Sequence, residues 1–411
     1  MPSQTYISRA GYTALRWVAT VLLAQALIAC GGGGDSSSVQ PVAPAATVAA
    51  VGGDRVALGQ LIFNDANLSE PRGTACVACH QPTQGFAGNN GSRIGVALGS
   101  TGGALGLRNA MHNSYMGTIG ALSFVTTDGE TEAAGGHFWD GRADTLALQA
   151  LVPLLNPLEM NNPSRKAVVD KVAASSYASL FRQEFGVNIF SDTDAAFTQI
   201  GVAIEAFERG KLQPFSSKFD AMVRGQATFS PAETSGMALF QNAGKGNCAS
   251  CHLMNATSAK PEDSLFSEFT YYGLGLPRNM AIPRNADPRF FDLGLCGPER
   301  TAPTLPADVA PGVTIEQFCG KFRMPSLRNV AQRPAFMHNG VFKDLREVVR
   351  FYAGRNTSTV SNDLPAAYQA NVERTKAPFN RLASDGLALT EAEVGDIVAF
   401  LRTLSDGFQA P

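Results

Sequence analysis

The pentapeptide CVACH at residues 76–80 has a second copy, CASCH, at residues 248–252. Two thiols three residues apart can take both vinyl groups of one haem as thioethers, and the next residue places an imidazole on the iron. A zinc ribbon also contains cysteine pairs, but it does not need a histidine after each pair. Because the chain has only five histidines, the two matches favour a protein with two covalently bound haem c groups. The predicted haem-binding residues are Cys76, Cys79, His80, Cys248, Cys251 and His252.

The overall composition leaves room for several domains and gives no electrostatic reason for a nucleic-acid partner. The chain has 411 residues, a length typical of roughly two or three domains with their own cores. Its net charge of −2 gives no general electrostatic attraction to nucleic acid. Near the start, Arg9 and Arg16 precede an apolar run over residues 17–29. That run is typical of an export signal and is too short to span a membrane comfortably.

The apolar run ends in LIAC at residues 27–30, which resembles a bacterial lipobox. We therefore expect residues 1–29 to be a signal peptide, Cys30 to carry a lipid, and residues 30–53 to form a flexible linker rich in Gly, Ser, Pro and Ala. Gly31 after the cysteine resembles the sorting pattern for the outer membrane, so the expected location is the periplasm or cell surface. The alternative is a cleaved signal with an incidental cysteine.

Two cysteines, Cys296 and Cys319, remain after the four haem thiols and the lipid anchor are assigned. In an oxidising periplasm such a pair can form a disulfide. The sequence alone leaves open the alternative of two free buried thiols. Either way, the two cysteines bracket part of a Pro-rich stretch over residues 277–320, which we expect to be an inserted loop.

The hydrophobic pattern predicts a mainly α fold in which two haem domains repeat one order of elements. A helix is expected before each haem motif, over residues 54–63 and again from Ser230, where a capping box and a proline start it. We expect two cytochrome c-like haem domains packed against each other, over residues 54–225 and 226–411. A further helix ends each domain, with apolar stripes at Ile200, Ala203, Ile204 and Phe207 and at Val394, Ile397, Val398 and Leu401. The second of these helices is predicted to be capped by Thr390 and Glu393.

Five further motifs make a family resemblance specific. They are Leu107–Asn109, Phe138–Ala143, Pro157–Met160, Met324–Val330 and Phe336–Gly340. Through them, over residues 54–411, the chain resembles the bacterial di-haem cytochrome c peroxidase / MauG family, and within it the MauG/MbnH-like branch. The resemblance implies that the N-terminal domain carries the peroxidatic haem.

The resemblance implies an open side of the first haem lined by Glu159, Gln149 and Pro153. Glu159 would move a proton from the inner to the outer oxygen of peroxide, which a carboxylate beside a poorly hydrated site can do. Trp139 would lie between the two haems and relay electrons. Without the resemblance, the better interpretation of Trp139 is an ordinary core tryptophan. For Glu159, a solvated residue at a helix end is then as good an interpretation as a catalytic acid.

The resemblance also places Tyr352, fourteen residues after His338, as the second axial ligand of the second haem. Family peroxidases carry methionine there, whereas MauG-like members carry tyrosine. A phenolate is a hard anionic donor that favours ferric or ferryl iron, whereas a thioether favours ferrous iron. One alternative is a core tyrosine with a hydrogen-bonded hydroxyl. The other is a methionine ligand, for which the candidates are Met280, Met324 and Met337.

Typical peroxidases of the family carry a histidine that blocks the first haem, and residues 91–107 contain none. We therefore expect the first haem to be open to peroxide without reductive activation. His112 and His137 lie outside that segment, although either could still approach an iron in the fold. His338 is expected to hold structure, because an Asn-Gly turn follows it.

Two further sets of contacts are implied by the resemblance. A calcium ion between the haems would bind the side-chain oxygen of Asn109 and the backbone carbonyls of Arg333 and Ala335, where the chain departs from the usual Thr and Pro. Arg108 and Arg142 could contact the haem propionates.

The leading hypothesis is a MauG-like enzyme that uses hydrogen peroxide to form a high-valent (bis-ferryl type) state and oxidises a Trp or Tyr residue of a partner protein. Tyr271 and Tyr272 are candidates for a surface residue that passes electrons from the partner. The alternative is a periplasmic cytochrome c peroxidase that takes electrons from a small cytochrome. A third hypothesis, a non-enzymatic electron carrier, is disfavoured because a closed haem needs no acid–base residue such as Glu159.

Overall fold

The computed structural model describes residues 53–255, 257–354 and 362–410, and helices make up most of its regular structure. The mainly α prediction is therefore confirmed. The expected signal peptide, the lipidated Cys30 and the linker up to residue 52 lie outside the described residues. Within the described ranges, no helix combines the length and the apolar character needed to cross a membrane.

The core of the N-terminal half forms where α1 (Gly53–Phe63) and α3 (Leu146–Leu155) pack against α6 (Thr193–Lys211). The predicted apolar stripe of α6 lies in this core, together with Leu58 and Ile62 of α1. Burial of these side chains is the main stabilisation of this half. The other helices here are α2 (Cys76–Cys79), α4 (Arg165–Ala173) and α5 (Ala178–Phe185).

The C-terminal half repeats this arrangement. Its helix α8 (Pro231–Gln241) packs against α10 (Glu391–Arg402), and α9 (Leu345–Ala353) packs on α10 as well. Ser230 and Thr390 start α8 and α10 with the predicted capping boxes, which satisfy amide groups at the helix ends. The remaining helix is α7 (Lys218–Val223), and the core contains the aromatic residues Phe219, Phe240, Phe266 and Phe400.

A glycine allows two helices to cross closely in each half. Gly59 of α1 faces the backbone carbonyl of Ala203 in α6, and Gly236 of α8 faces that of Asp396 in α10. A Cβ at either glycine would overlap the carbonyl oxygen. Because only glycine permits so close an approach, the two halves share one helix crossing, in agreement with the predicted repeat.

Two short two-stranded sheets lie outside the helical cores. Strand β1 (Ser123–Thr127) pairs antiparallel with β2 (Glu130–Ala134). Strand β3 (Tyr271–Tyr272) pairs antiparallel with β4 (Phe322–Arg323). The second sheet brings the two ends of the inserted segment of residues 277–320 close together.

Cys296 and Cys319 form a disulfide, so the predicted pairing is confirmed and the alternative of two free thiols is wrong. The bond lies in the segment of residues 277–320, whose only helical parts are the short 3-10 turns Pro283–Ala286 and Ile315–Phe318. Leu295 and Phe318 of this segment are buried in a small hydrophobic cluster, and the covalent crosslink restricts the freedom of the segment in the unfolded chain.

Candidate functional site

The first CxxCH motif lines a cavity of about 120 Å³ in the N-terminal half. Cys76 and Cys79 lie on the single turn α2, and His80 follows at its end. The Nδ1 atom of His80 lies 3.0 Å from the carbonyl oxygen of Phe86. A proton on Nδ1 donates to that oxygen, so Nε2 keeps the lone pair that a haem iron needs.

The second motif lines a cavity of about 180 Å³ with mostly apolar walls. Cys248 and Cys251 border it, and Nδ1 of His252 lies 2.9 Å from the carbonyl oxygen of Phe266. Burial lowers the pKa of His252 to about 4, so the ring is neutral at physiological pH. The two imidazoles are therefore oriented by the same kind of hydrogen bond.

The residues of both cavities fit a covalently bound haem c. All four motif cysteines are free thiols, and each cavity adds one oriented neutral imidazole and apolar walls that suit a porphyrin. The described part of the chain contains no group of three or more His, Cys, Asp or Glu side chains arranged around a metal ion. A zinc ribbon, the other interpretation of the cysteine pairs, therefore lacks its ligand set.

The acid predicted for the first haem, Glu159, borders the first cavity together with Gln149 and Pro153. Gln149 and Pro153 lie one turn apart on α3, and Glu159 follows in the turn after that helix. Its Oε2 is buried and has no hydrogen-bond partner among the described residues. Burial raises the pKa of Glu159 to about 7, so the carboxyl can exchange a proton near neutral pH.

Trp139 forms part of the walls of both cavities. Its side chain is buried, and Nε1 donates to the carbonyl oxygen of Asn109 at 2.8 Å. Asn109 and His112 also border both cavities. These three residues form a shared wall, and the hydrogen bond fixes the position of the indole within it.

Tyr352 borders the second cavity from the same face of α9 as Val348. Two of the competing methionines, Met324 and Met337, border this cavity as well. Met280 does not, and its side chain is 63% exposed. The candidates for a second iron ligand that border this cavity are therefore one phenol and two thioethers.

The remaining histidines are placed in different surroundings. His112 has Nδ1 2.8 Å from a backbone carbonyl two residues on, and its buried Nε2 has no hydrogen-bond partner in the described ranges. His137 borders neither cavity, and burial lowers its pKa to about 3. His338 borders the second cavity and stacks on Phe322, with ring centroids 3.5 Å apart.

The two arginines expected at the propionates already have carboxylate partners. Arg108 donates to Asp292 at 2.6 and 2.8 Å and to Asp140 at 2.7 Å. Arg142 lies 2.9 Å from Asp140 and 3.2 Å from Glu299. Both arginines border the first cavity. Their charges are balanced within the protein, so neither needs a propionate as its counter-ion.

The residues predicted to bind calcium meet, but Asn109 presents the wrong atom. The backbone amide of Ala110 donates to Oδ1 of Asn89, and Nδ2 of Asn89 donates to Oδ1 of Asn109. This chain of bonds orients the Asn109 carboxamide so that its Nδ2 donates to the carbonyl oxygen of Ala335 at 3.0 Å. Because Ca²⁺ takes oxygen ligands, the expected set of Asn109, Arg333 and Ala335 does not fit the ion in this arrangement.

Glu208 is a buried carboxyl in the first cavity that the sequence analysis missed. It is 2% exposed, and its Oε1 accepts a hydrogen bond from Nδ2 of Asn113 at 2.6 Å. Burial raises the pKa of Glu208 to about 8. It stands directly after Phe207 on the buried face of α6, and a carboxyl inside an apolar stripe is the signal that could have identified it.

The side chains of Arg323 and Arg333 border the second cavity, and the sequence analysis assigned neither of them a role there. Burial lowers the pKa of Arg323 to about 10 and that of Arg333 to about 9. Both remain cationic at neutral pH. The two arginines flank the motif of residues 324–330, and nothing in their spacing shows that they face one cavity.

Two cavities, each with a pair of thiols and an oriented imidazole, define a di-haem protein of the c type with an acid beside the first haem. The chain belongs to the di-haem cytochrome c peroxidase family, whose model matches residues 53–228. It is 34% identical over 364 residues to the methylamine utilization protein MauG of Paracoccus denitrificans, covering 85% of this chain and 88% of that protein. It is 27% identical over 380 residues to the cytochrome c peroxidase Ccp of Escherichia coli, covering 89% of this chain and 61% of that protein.

Solved structures agree with this membership. The diheme peroxidase BthA from Burkholderia thailandensis is 39% identical, with a TM-score of 0.78 and coverage of 89% of each chain. A MauG-like protein associated with microbial copper homeostasis is 26% identical, with a TM-score of 0.56 and coverage of 86% of this chain and 90% of that one. The predictions of the family, of two cytochrome c-like domains and of a haem-dependent oxidoreductase are confirmed.

Proposed function

We propose that this enzyme reduces hydrogen peroxide at the first cavity and uses the oxidising equivalents to oxidise a Trp or Tyr residue of a partner protein. The observation that carries this proposal is the unequal lining of the two cavities. The first contains the acid Glu159, whose Oε2 has no hydrogen-bond partner among the described residues. The second contains the phenol of Tyr352, and Trp139 borders both.

Haem iron, when bound, supplies the electrons that reduce peroxide to water and keeps the resulting oxidising equivalents. Glu159 accepts a proton from one peroxide oxygen and returns it to the other, which leaves as water. Gln149 can donate a hydrogen bond that orients the peroxide, and Pro153 fills the wall beside it. Apolar side chains such as Phe63 and Met160 form part of the remaining wall and limit the water beside the peroxide, which strengthens these polar contacts.

Tyr352 is proposed as the residue that makes the second site different from the first. With haem bound, a phenolate ligand from Tyr352 would stabilise an oxidised metal more than a thioether ligand would. This supports storage of an oxidising equivalent at the second site. The indole of Trp139, held by Asn109, lies where electrons can pass between the sites.

Of the two tyrosines considered as an exit to the partner, the surroundings favour Tyr272. It borders the second cavity and is partly exposed, and its hydroxyl donates to Oε1 of Glu268 at 3.0 Å. Tyr271 is buried, and its hydroxyl donates to the carbonyl oxygen of Gly135 at 2.8 Å. Tyr272 is therefore the one of the two that both borders the second cavity and reaches the surface.

The second candidate function is a cytochrome c peroxidase that takes electrons from a small cytochrome. Its specific support is that Met324 and Met337 border the second cavity. A thioether ligand would raise the potential of that haem and suit electron entry. Calcium has no part in either proposal, because Asn109 faces Ala335 with its amide nitrogen.

The proposal is tested by mixing the holo-protein with hydrogen peroxide and periplasmic extract of its source, and measuring partner masses. We expect a partner whose mass changes at a Trp or Tyr, and a peroxide-generated state that decays faster in Tyr352→Met. Rapid oxidation of small cytochromes without any mass change would support the second candidate. An unchanged lifetime in Tyr352→Met contradicts the ligand assignment.

We also propose the cellular arrangement that the sequence suggests. Residues 1–29 direct export, lipidated Cys30 anchors the protein to the outer membrane, and the haem domains span residues 54–225 and 226–411, the second with the inserted loop of residues 277–320. Replacement of Cys30 by alanine should release the protein from the membrane fraction. Retention of this variant in that fraction contradicts the anchor.

A further inference from the structure

Two cationic side chains reach the second cavity without an acidic partner. Arg323 is 1% exposed, and its buried Nη1 has no hydrogen-bond partner in the described part of the chain. Arg333 borders the same cavity, and its buried Nε likewise lacks a partner there. An unpaired buried charge is costly, so such side chains persist where something supplies the missing partner.

The contacts that these guanidiniums do make are all with neutral acceptors. Arg323 donates from Nε to the carbonyl oxygen of Phe138 at 3.0 Å and from Nη2 to Sδ of Met111 at 2.6 Å. Arg333 donates from Nη2 to the carbonyl oxygens of Ser326 and Arg328, at 2.7 and 2.6 Å. These bonds hold the side chains in place, but none of them is made to a carboxylate.

Other buried arginines of this chain are treated differently. Arg328 is fully buried and donates from Nη1 to both carboxylate oxygens of Asp220, at 2.9 and 3.0 Å. Arg108 has two aspartate partners, Asp140 and Asp292. Among the described residues, Arg323 and Arg333 therefore lack the close carboxylate partner that Arg328 and Arg108 have.

Among the described residues, no carboxylate around the second cavity can serve both arginines. Asp363, the acidic residue in the described lining, accepts a hydrogen bond from Asn339 at 2.7 Å and lies 3.2 Å from Nε2 of His338. Asp140 is close enough to act on Arg323 electrostatically, but its oxygens are engaged by other arginines. The missing negative charge must therefore come from the group that fills the cavity.

We propose that Arg323 and Arg333 are positioning residues that bind the two propionates of the haem held by Cys248, Cys251 and His252. A haem carries two carboxylates, which match two guanidiniums in number and sign, and guanidinium–carboxylate pairs form strong charge-assisted hydrogen bonds. Arg108 and Arg142 border the first cavity and not the second, so they do not compete for this role. It rests on the presence of that haem and not on the oxidation of a partner protein.

This arrangement has a consequence for the reduction potential of the second haem. A nearby cation favours the reduced, less positive iron, and the low polarity of the cavity leaves that effect poorly screened. Removal of the Arg333 charge should therefore shift the midpoint potential of the second haem to lower values. The first haem should shift less, because neither arginine borders its cavity.

The test is a spectroelectrochemical titration of holo-protein variants whose haem content has been checked as two per chain. We expect a lower second-haem potential in Arg333→Gln and in Arg323→Gln, and a potential close to the unmodified value in Arg333→Lys, which keeps the charge. Arg289→Gln is the matched control, because that guanidinium is 89% exposed and solvent screens it. It should leave both potentials unchanged.

Three results would overturn the proposal. The first is a fully loaded Arg333→Gln whose second-haem potential does not move. The second is an equal shift in Arg333→Lys and Arg333→Gln, which would assign Arg333 to bridging its two backbone carbonyls. The third result concerns haem loading. If Arg333→Gln does not bind two haems per chain, Arg333→Lys should restore the haem content, because it keeps the charge. Failure of Arg333→Lys to do so would contradict a role for the charge. Because potentials are measured without a partner, these results are independent of the proposed partner oxidation.

Discussion

At the scale of single residues, the two cavities share the same haem-binding residue types and differ in a few other side chains. Each contains two thiols and a histidine held by a backbone carbonyl. The first adds Glu159, whose Oε2 is buried without a partner in the described residues. The second adds Tyr352 and the cations of Arg323 and Arg333. The chemistry of each site follows from these additions.

Replacement of Glu159 by glutamine should slow the reaction of the first haem with peroxide. Glutamine keeps the size of the side chain but cannot accept and return a proton, and such general acid–base contributions are about 10²–10⁴-fold. Stopped-flow absorbance at the haem bands measures the rate. Glu70→Gln, an exposed carboxyl outside both cavities, is the control, and an unchanged rate in Glu159→Gln would remove the acid–base role.

The same carboxyl should give the peroxide reaction a pH dependence. Burial raises the pKa of Glu159 to about 7, and the ionised form is the one that accepts a proton from peroxide. The rate should therefore rise as the pH increases through about 7 and level off above it. Glu159→Gln should lose this step, and a step that persists in the variant must come from another group.

The candidate haem-binding residues and the candidate acid could be predicted from the sequence, but the ion pairs of the arginines could not. The haem thiols, the histidines and Glu159 follow from motifs with fixed local spacing. Arg108 and Arg142 were chosen for the propionates from the same motifs, yet Asp292, far away in sequence, neutralises Arg108. Through-space pairing of this kind depends on the tertiary fold, and a linear motif does not encode it.

At the scale of elements, the helix crossing at Gly236 should be sensitive to one added methyl group. A Cβ there would overlap the carbonyl oxygen of Asp396, so Gly236→Ala should destabilise the holo-protein by about 1–3 kcal/mol. Urea unfolding followed by circular dichroism measures the loss. Gly102→Ala is the matched control, because a Cβ at Gly102 meets no atom within 4 Å; equal stability of the two variants would contradict the crossing.

Removal of calcium should leave the haem spectra and the thermal stability unchanged. The carboxamides of Asn89 and Asn109 and the carbonyl of Ala335 satisfy one another without a metal ion. Dialysis of the holo-protein against EGTA, followed by metal analysis and absorption spectroscopy, measures the effect. Loss of a bound calcium together with a spectral change would show that Asn109 turns its oxygen towards a metal.

The elements themselves were largely predictable, because periodic apolar stripes and capping boxes are local signals. The stripes of α6 and α10 and the caps at Ser230 and Thr390 are found where they were expected. The orientation of the Asn109 carboxamide was not predictable, since it depends on Asn89 twenty residues earlier. Side-chain amides are set by hydrogen-bond networks and not by the helix pattern.

At the scale of the whole molecule, two similar halves share one wall between their cavities. Trp139, Asn109 and His112 belong to that wall. The duplication supplies two haem sites. In the proposed function, the differences between them allow one site to react while the other stores charge. This unequal use of two copies is the central claim of the proposed function.

Electron paramagnetic resonance of the ferric holo-protein tests that claim most directly. We predict one high-spin signal from an open first haem and one low-spin signal with histidine and tyrosine ligands from the second. The low-spin signal should change in Tyr352→Met and persist in Tyr272→Phe. Two low-spin signals, or a low-spin signal that is the same in Tyr352→Met as in the unmodified protein, would contradict the account.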